Sequence, residues 1–376
     1  MRIVQTNKAY FPHLGGIETT IANLAEGMII APENTVEVLV CNNDRSMSVK
    51  KSTLNSVSVI YAPTFGKIAS LPISPAYFSC LANLKGDILH IHEPFPLADM
   101  AVLLNSKIEK NFSRIVVSWH SDIVRQKWAL LFYRGLLHRF LEKVDRILVS
   151  NNNLIDNSPF LSAYKNKCLM IPLGVKLNWV QHSNSRVERV KDIRLRYKTP
   201  LILFVGRLVY YKGIQYLIES MKALPNASLV IVGDGPLLAE LENQIKNCQL
   251  SDRIKIIPPM EEDELHAFYE ACDVFVLPSV EKSEAYGLVQ IEAMACGKPV
   301  VSTELNTGTT FVNLHGITGL TVPPRNSNSL SDAIGKLIND TSLREALGRN
   351  AKERAFNEFT AEKMVERTLN VYKSLL

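Results

Sequence analysis

Short, β-branched apolar runs recur along this chain with helix-length stretches between them, and that alternation limits its fold more than any other feature. They fall at Arg2 to Thr6, Val36 to Cys41, Val57 to Tyr61, Asp87 to Ile91, Arg114 to Ser118 and Arg146 to Ser150. Parallel strands need crossovers long enough to hold a helix, so this repetition predicts a parallel, doubly wound α/β sheet. The series restarts at Leu201 to Gly206 and continues through Ser228 to Gly233, Arg253 to Ile257, Asp273 to Pro278, Pro299 to Thr303 and Thr318 to Val322. Two Rossmann-like domains are therefore expected, at 1–174 and 199–357, with the polar stretch 175–198 as a linker. A helix over about 358–376 is expected to pack back on the first domain. The length of 376 residues suits two domains of roughly 100 to 200 residues each.

Composition excludes several classes. Apolar residues at 47% supply a large buried core, and 21% charged residues is ordinary for a globular chain. The six cysteines form no CxxC pair and have no histidine at ligand spacing, which argues against structural zinc or a disulfide framework and for a reducing compartment. No apolar run reaches the roughly 18 residues of a membrane span. Met1 leads directly into a strand pattern without a signal-peptide layout, so the expectation is a cytoplasmic protein, soluble or peripheral on the inner face of the membrane. The net charge of +5 lies entirely in residues 1–174, with 18 Lys+Arg against 13 Asp+Glu. That is too sparse for a nucleic-acid stripe but suits a half that meets an anionic surface or substrate.

The chemistry concentrates in loops that follow strands. Val274 to Leu277 is stopped by Pro278 and leads through Ser283, Glu284, Ala285, Tyr286, Gly287 and Leu288 into a helix. Such a loop offers unpaired N–H groups and partial positive charge to an anion or hydroxyl. On one continuous helix Glu284 and Glu292 would lie about two turns apart on nearly one face; equally, Glu284 could complement the helix dipole and Glu292 be an incidental buried acid. Gly206 is followed by Arg207 and Lys212, two cations suited to a diphosphate, or else two solvated surface charges. Gly15 and Gly16, after His13, permit close backbone approach or simply turn the chain. His120 follows the strand Ile115 to Ser118, where ligands bind in open α/β sheets, although a lone histidine is usually structural. Asp122, Arg125 and Gln126 come next and could meet the hydroxyls or phosphate of a ligand, with Asp122 equally explained as a helix N-terminal acid. His90 and His92 alternate on a strand beside Glu93 and invite a metal reading, but no Asp-x-Asp motif accompanies them.

The segment Ser-Glu-Ala-Tyr-Gly-Leu-Val-Gln-Ile-Glu-Ala-Met-Ala-Cys-Gly-Lys-Pro-Val, from Ser283 to Val300, resembles the signature of glycosyltransferase family four, the retaining, nucleotide-sugar-dependent enzymes of GT-B fold. Phe204 to Gly213 resembles that family's G-R-x4-K-G element, and Tyr10 to Glu18 its first strand-to-helix loop. The resemblance implies two Rossmann-like domains facing an interdomain cleft, acceptor-binding first and donor-binding second. It also implies a metal-independent hexosyltransferase without a cofactor. Arg207 and Lys212 would hold the donor diphosphate, Glu284 and the amides of Ala285 to Leu288 the sugar hydroxyls, and Glu292 the ribose. His120 and Gly16 would face the donor from the other domain, with His120, Arg207, Lys212 and Glu284 as the catalytic group. His13, Asp122 and Arg125 fall on the acceptor side, and Leu305 to Thr310, after the next strand, could add contacts to the donor phosphates.

The text around His120 and Glu284 looks most like bacterial mannosyl- or rhamnosyltransferases of O-antigen or other envelope polysaccharide. GDP-mannose as donor and a lipid-linked saccharide at the inner membrane surface as acceptor are the resulting expectations. Pro258-Pro259, where the family more often has glycine, leaves the base open, so a UDP-sugar or another acceptor is the alternative. A non-catalytic nucleotide-sugar-binding module is the alternative from another class. A dehydrogenase is disfavoured because Gly233-Asp234-Gly235-Pro236 lacks the third glycine of the dinucleotide fingerprint, and a P-loop because Gly297-Lys298 is followed by proline. The basic, aromatic stretch 125–143 reads either as a membrane-surface helix or as an amphipathic core helix.

Overall fold

The apolar runs of the first half form strands Arg2–Asn7 (β1), Thr35–Cys41 (β2), Val57–Ala62, Gly86–Glu93, Phe112–Trp119 and Arg146–Val149. Four further strands lie outside those runs. With these included, Lys50–Leu54 is β3, Val57–Ala62 β4, the hairpin Lys67–Ile68 and Leu71–Pro72 β5 and β6, Gly86–Glu93 β7, Phe112–Trp119 β8, Arg146–Val149 β9 and Cys168–Met170 β10. This computed structural model describes residues 1–11, 15–42, 47–68, 71–122 and 127–376. It divides into one unit of Met1–Gly174 with Ala361–Leu376 and a second of Val175–Thr360.

The main sheet of the first unit runs β10-β9-β8-β7-β1-β2-β4-β3, parallel except for the edge strand β3, whose lysines Lys50 and Lys51 are exposed. Both faces are covered. Ile3, Val38, Val59 and Ile88 point to one side, and their neighbours Val4, Leu39, Ile60 and Leu89 to the other. This period of two, apolar on both sides, is what a parallel sheet between helical layers requires. The helices are Gly16–Met28 (α1), Pro75–Asn83 (α2), Pro96–Leu104 (α3), Ser106–Asn111 (α4), Lys127–Lys143 (α5) and Asn152–Asn157 (α6).

The second unit contains Val187–Arg196 (α7), Leu201–Val205 (β11), Ile214–Ser220 (α8), Ser228–Val232 (β12), Leu238–Asn247 (α9), Ile254–Ile257 (β13) and Glu262–Ala271 (α10). It continues with Val274–Leu277 (β14), Leu288–Ala295 (α11), Val300–Thr303 (β15), Gly308–Val312 (α12), Gly319–Val322 (β16), Ser327–Asn339 (α13) and Thr341–Glu358 (α14). Its sheet is wholly parallel in the order β13-β12-β11-β14-β15-β16. The last helix, Ala361–Leu375 (α15), belongs to the first unit, where Met364, Val365 and Tyr372 join Ile21, Leu24 and Met28 of α1 in one apolar cluster. Gly27 permits this approach, because a Cβ there would lie 2.5 Å from Val365.

The expected boundaries need two corrections. Residues 175–198 are no linker: they carry a 3-10 segment and α7, and they belong to the second unit. Their charges pair with that unit. Arg186, 2% exposed, binds Glu270 of α10 at 2.6 Å and Asp263 at 3.1 Å. Trp179 stacks on His266 with ring centroids 3.6 Å apart. The C-terminal helix begins at Ala361 and not at 358, because α14 ends at Glu358 and Val175 and Thr360, first and last in the second unit, pair in a β-bridge.

Candidate active site

In the second sheet the chain runs outward from β11 through β12 to β13, then returns to the other side of β11 as β14. The carboxyl ends of β11 and β14 therefore form the topological switch point, where open α/β sheets bind ligands. Arg207 to Lys212 follow β11, and 279–287 follow β14. The two loops touch: Val280 N–H donates to the Tyr211 carbonyl at 2.7 Å. Gly213 makes this possible with φ of 67° and no side chain, since a Cβ would stand 2.2 Å from the Pro278 carbonyl oxygen.

Lys212 and Glu284 meet there. Nζ lies 2.5 Å from Glu284 Oε2, which also accepts from Ser279 Oγ at 2.9 Å. Both residues are buried, at 8% and 7% exposure, whereas Arg207 is exposed at the same loop. The Glu284 and Ala285 carbonyls accept from Thr307 Oγ1 at 2.9 Å and the Gly308 N–H at 2.8 Å, so the loop after β15 holds the 284–285 backbone in place. Gly287, at φ 73°, turns the chain into α11, whose N-terminus has no side-chain cap. Tyr286 is buried, and its ring lies near Phe311 and Phe359. An ammonium, a guanidinium and an uncapped helix N-terminus thus all follow the two strands of the switch point, an arrangement suited to a diphosphate.

Glu284 and Glu292 do not share a helix face as the spacing suggested. Glu284 precedes the left-handed turn at Gly287 and lies in the loop; only Glu292 is on α11. Glu292 Oε2 accepts from Tyr269 Oη at 2.6 Å. Burial outweighs that bond and pushes the Glu292 carboxyl up to about 7.

In the first unit the switch point falls between β1 and β7, and the loop after β1 leads into α1. Gly15 caps α1 without a side-chain bond, and the carbonyl of Gly16 accepts from Thr20 Oγ1 at 2.8 Å. His120, beyond the end of β8, is buried at 7% exposure. Its Nε2 lies 3.0 Å from Nδ1 of His92. Burial draws His120 down to about 4 and His90 to about 3, so both rings are neutral at physiological pH. Asp122 Oδ1 accepts from Trp119 Nε1 at 3.0 Å and Ser158 Oγ at 2.6 Å, which ties the end of β8 to the segment after α6. His13 and Arg125 lie outside the described residues. Glu93, beside the two histidines, accepts the Phe95 N–H at 2.6 Å. Among the described residues no group of three or more His, Cys, Asp or Glu side chains is placed to hold a metal ion. Sequence reasoning missed Ser279, Tyr269 and Tyr372. Nothing local marks them: Ser279 meets Glu284 only through the path of the loop after β14, and Tyr269 and Tyr372 find partners far along the chain.

This pair of doubly wound units is the GT-B fold. The chain superposes on sucrose-phosphate synthase from Thermosynechococcus elongatus with a TM-score of 0.78 at 23% identity, covering 100% of this chain and 98% of that one. It superposes on Anabaena HepE in complex with UDP with a TM-score of 0.79 at 19% identity, covering both chains completely. Residues 14–179 match the description "Glycosyltransferase Family 4" and residues 186–354 "Glycosyl transferases group 1". The O-antigen chain mannosyltransferase C of Escherichia coli is 32% identical over 379 residues, covering 100% of this chain and 99% of the relative. The D-rhamnosyltransferase WbpZ of Pseudomonas aeruginosa is 31% identical over 340 residues, covering 86% and 83%. The chain belongs to glycosyltransferase family four, and the protein is a glycosyltransferase.

Proposed function

We propose that this glycosyltransferase moves a mannosyl group from GDP-mannose to a hydroxyl of a lipid-linked oligosaccharide in the assembly of bacterial O-antigen or a related surface polysaccharide. Transfer proceeds with retention at the anomeric carbon, without a metal or cofactor, on a protein peripheral to the inner face of the cytoplasmic membrane. The two relatives, a mannosyltransferase of O-antigen chains and a D-rhamnosyltransferase, support the sugar class and the pathway. Among the described residues no helix is long and apolar enough to cross a membrane, which is compatible with peripheral attachment.

The observation that carries the reading is the buried Lys212–Glu284 pair at the switch point. A donor diphosphate arriving there competes for Lys212, and Arg207 and the α11 N-terminus share its charge. The developing negative charge of the leaving group is what glycosyl transfer must stabilise, and these groups are in place before the reaction begins. Once Lys212 turns to the phosphate, the Glu284 carboxylate is free to accept hydrogen bonds from sugar hydroxyls, with the amides of Ala285 to Leu288 beside it. Glu292 takes the ribose hydroxyls, and His120 and Gly16 serve the donor from the first unit. His13, Asp122 and Arg125 are the acceptor-side group. The route is front-face displacement through an oxocarbenium-like state.

A thermal-shift panel of GDP, UDP, ADP and their sugar conjugates, each with EDTA and with magnesium, tests this, because a ligand of the folded state alone raises Tm. GDP-mannose should shift the wild type in EDTA and leave Lys212→Ala unmoved. A shift with UDP-sugars alone replaces the donor, since Pro258-Pro259 departs from the usual glycine. No shift with any nucleotide overturns the reading in favour of a module without catalysis.

A further inference from the structure

The first unit contains a buried chain of rings that the proposed transfer does not by itself explain. Tyr372 Oη of α15 lies 2.6 Å from His90 Nδ1, and His90 Nε2 lies 2.8 Å from Ser118 Oγ. Both nitrogens of His90 are thereby occupied, and its ring is packed with centroids 4.3 Å from that of His92. His92 Nδ1 then reaches His120 Nε2 at 3.0 Å. The planes of His92 and His120 differ by 11° with centroids 5.3 Å apart. Rings so nearly coplanar, with nitrogens at 3.0 Å, meet edge to edge, which directs an N–H on one at the lone pair of the other.

We infer that His92 is a positioning residue for His120: it donates from Nδ1 to His120 Nε2, so that His120 carries its own proton on Nδ1 and offers that N–H to an oxygen of the bound donor. This rests on the proposed reading that His120 faces the donor. The direction of the bond follows from hydrogen-bond accounting. One proton lies between the two rings, and either ring could supply it. His92 Nε2 is enclosed by protein and has no partner among the described residues. If His92 accepted at Nδ1, its proton would sit on Nε2 as an orphaned buried N–H, which folded proteins avoid more strictly than an unmet lone pair. The proton therefore belongs on Nδ1 of His92. His120 must then accept at Nε2 and hold its proton on Nδ1, the ring nitrogen that no described residue bonds. The consequence is chemical: His120 acts as a fixed hydrogen-bond donor and does not remove a proton. The remaining links serve the same end, since Tyr372 and Ser118 hold His90, and His90 backs the ring of His92.

Nitrogen-15 NMR of the full chain labelled selectively on histidine tests the arrangement without relying on turnover. Both His92 and His120 should show a protonated Nδ1 and an unprotonated Nε2 in the wild type; a proton on Nε2 of His120 overturns the inference. Two variants extend the test. Asn places its amide nitrogen where His carries Nδ1, so His92→Asn keeps the donor and His92→Leu removes it. In His92→Leu kcat should fall by about ten-fold or more, the loss expected from one well-aimed bond to the transition state, with donor KM changed less than about two-fold. His92→Asn should recover most of that loss, and the GDP-induced thermal shift should persist in both. Equal loss in the two variants, or no loss in His92→Leu, refutes a positioning role. A wild type that neither binds nucleotides nor transfers sugar overturns the functional reading instead, while the spectrum still decides the tautomers.

Discussion

Replacing Glu292 with glutamine should make the protein more stable at alkaline pH while weakening its grip on the donor. Burial raises this carboxyl from 4.5 to about 7, opposed by the hydrogen bond from Tyr269. An acid raised in the fold keeps a proton that the unfolded chain has already released. Its contribution is therefore fully present below about 4.5 and is lost as pH rises through 7. The difference of 4.5 to 7, at about 1.4 kcal/mol per unit, amounts to about 3 kcal/mol of lost stability at pH 8. Glutamine keeps the shape and can still accept from Tyr269 but does not titrate. The value of about 7 already includes the stronger bond from Tyr269 to the charged carboxylate. Glu292→Gln should thus exceed the wild type by about 3 kcal/mol at pH 8, with the advantage shrinking to about 1 kcal/mol at pH 5. Paired urea melts at pH 5, 6, 7 and 8 measure it, and taking the difference between the two proteins cancels the titration of every other group. An advantage that stays flat across this range within about half a kcal/mol would refute the reasoning. A stabilised variant that binds GDP as tightly as the wild type would separately remove Glu292 from the proposed ribose contact.

Three other outcomes follow from the same geometry. Lys212→Ala should lower kcat/KM by about 100-fold, consistent with losing charge-assisted bonds to a diphosphate, and should also lower Tm because Glu284 is left buried without its partner. Adding Glu284→Gln to it should restore Tm and leave activity lost; recovery of activity in the double variant would show that the pair is structural. Gly213→Ala should lose about 2 kcal/mol or more in a thermal melt, because alanine is strained at φ 67° and its methyl group meets the Pro278 carbonyl. Arg186→Met should cost about 3 kcal/mol in urea by leaving Glu270 unpaired, with the GDP-induced shift retained. An unchanged unfolding midpoint in Arg186→Met would mean that the ion pair contributes nothing net.

The strands that carry the site were legible because their signal is local. Val274 to Leu277 is β-branched or apolar at every position and is closed by a proline, so its end and the loop beyond could be placed from a handful of residues. The same holds for Leu201–Val205 and the Gly206-Arg207 turn. The polar segment 175–198 resembles a linker in sequence for the opposite reason. Its buried guanidinium looks like any surface arginine until Asp263 and Glu270, far along the chain, are brought against it. Spacing alone leaves open whether Glu284 and Glu292 share a helix face, because it does not reveal that Gly287 adopts a left-handed conformation between them.

From its sequence alone this chain was determined to be two doubly wound α/β units with glycine-bearing loops at the ends of their strands. Hydrophobic period, helix length and turn chemistry act over a few residues and need no partner. Tertiary structure alone decided that 175–198 joins the second unit, that Lys212 is held by Glu284, and that Tyr372, His90, His92 and His120 form one chain of rings. Those features depend on burial, which turns a polar side chain from a solvated bystander into a group that must find a partner, and the partner is chosen by the fold.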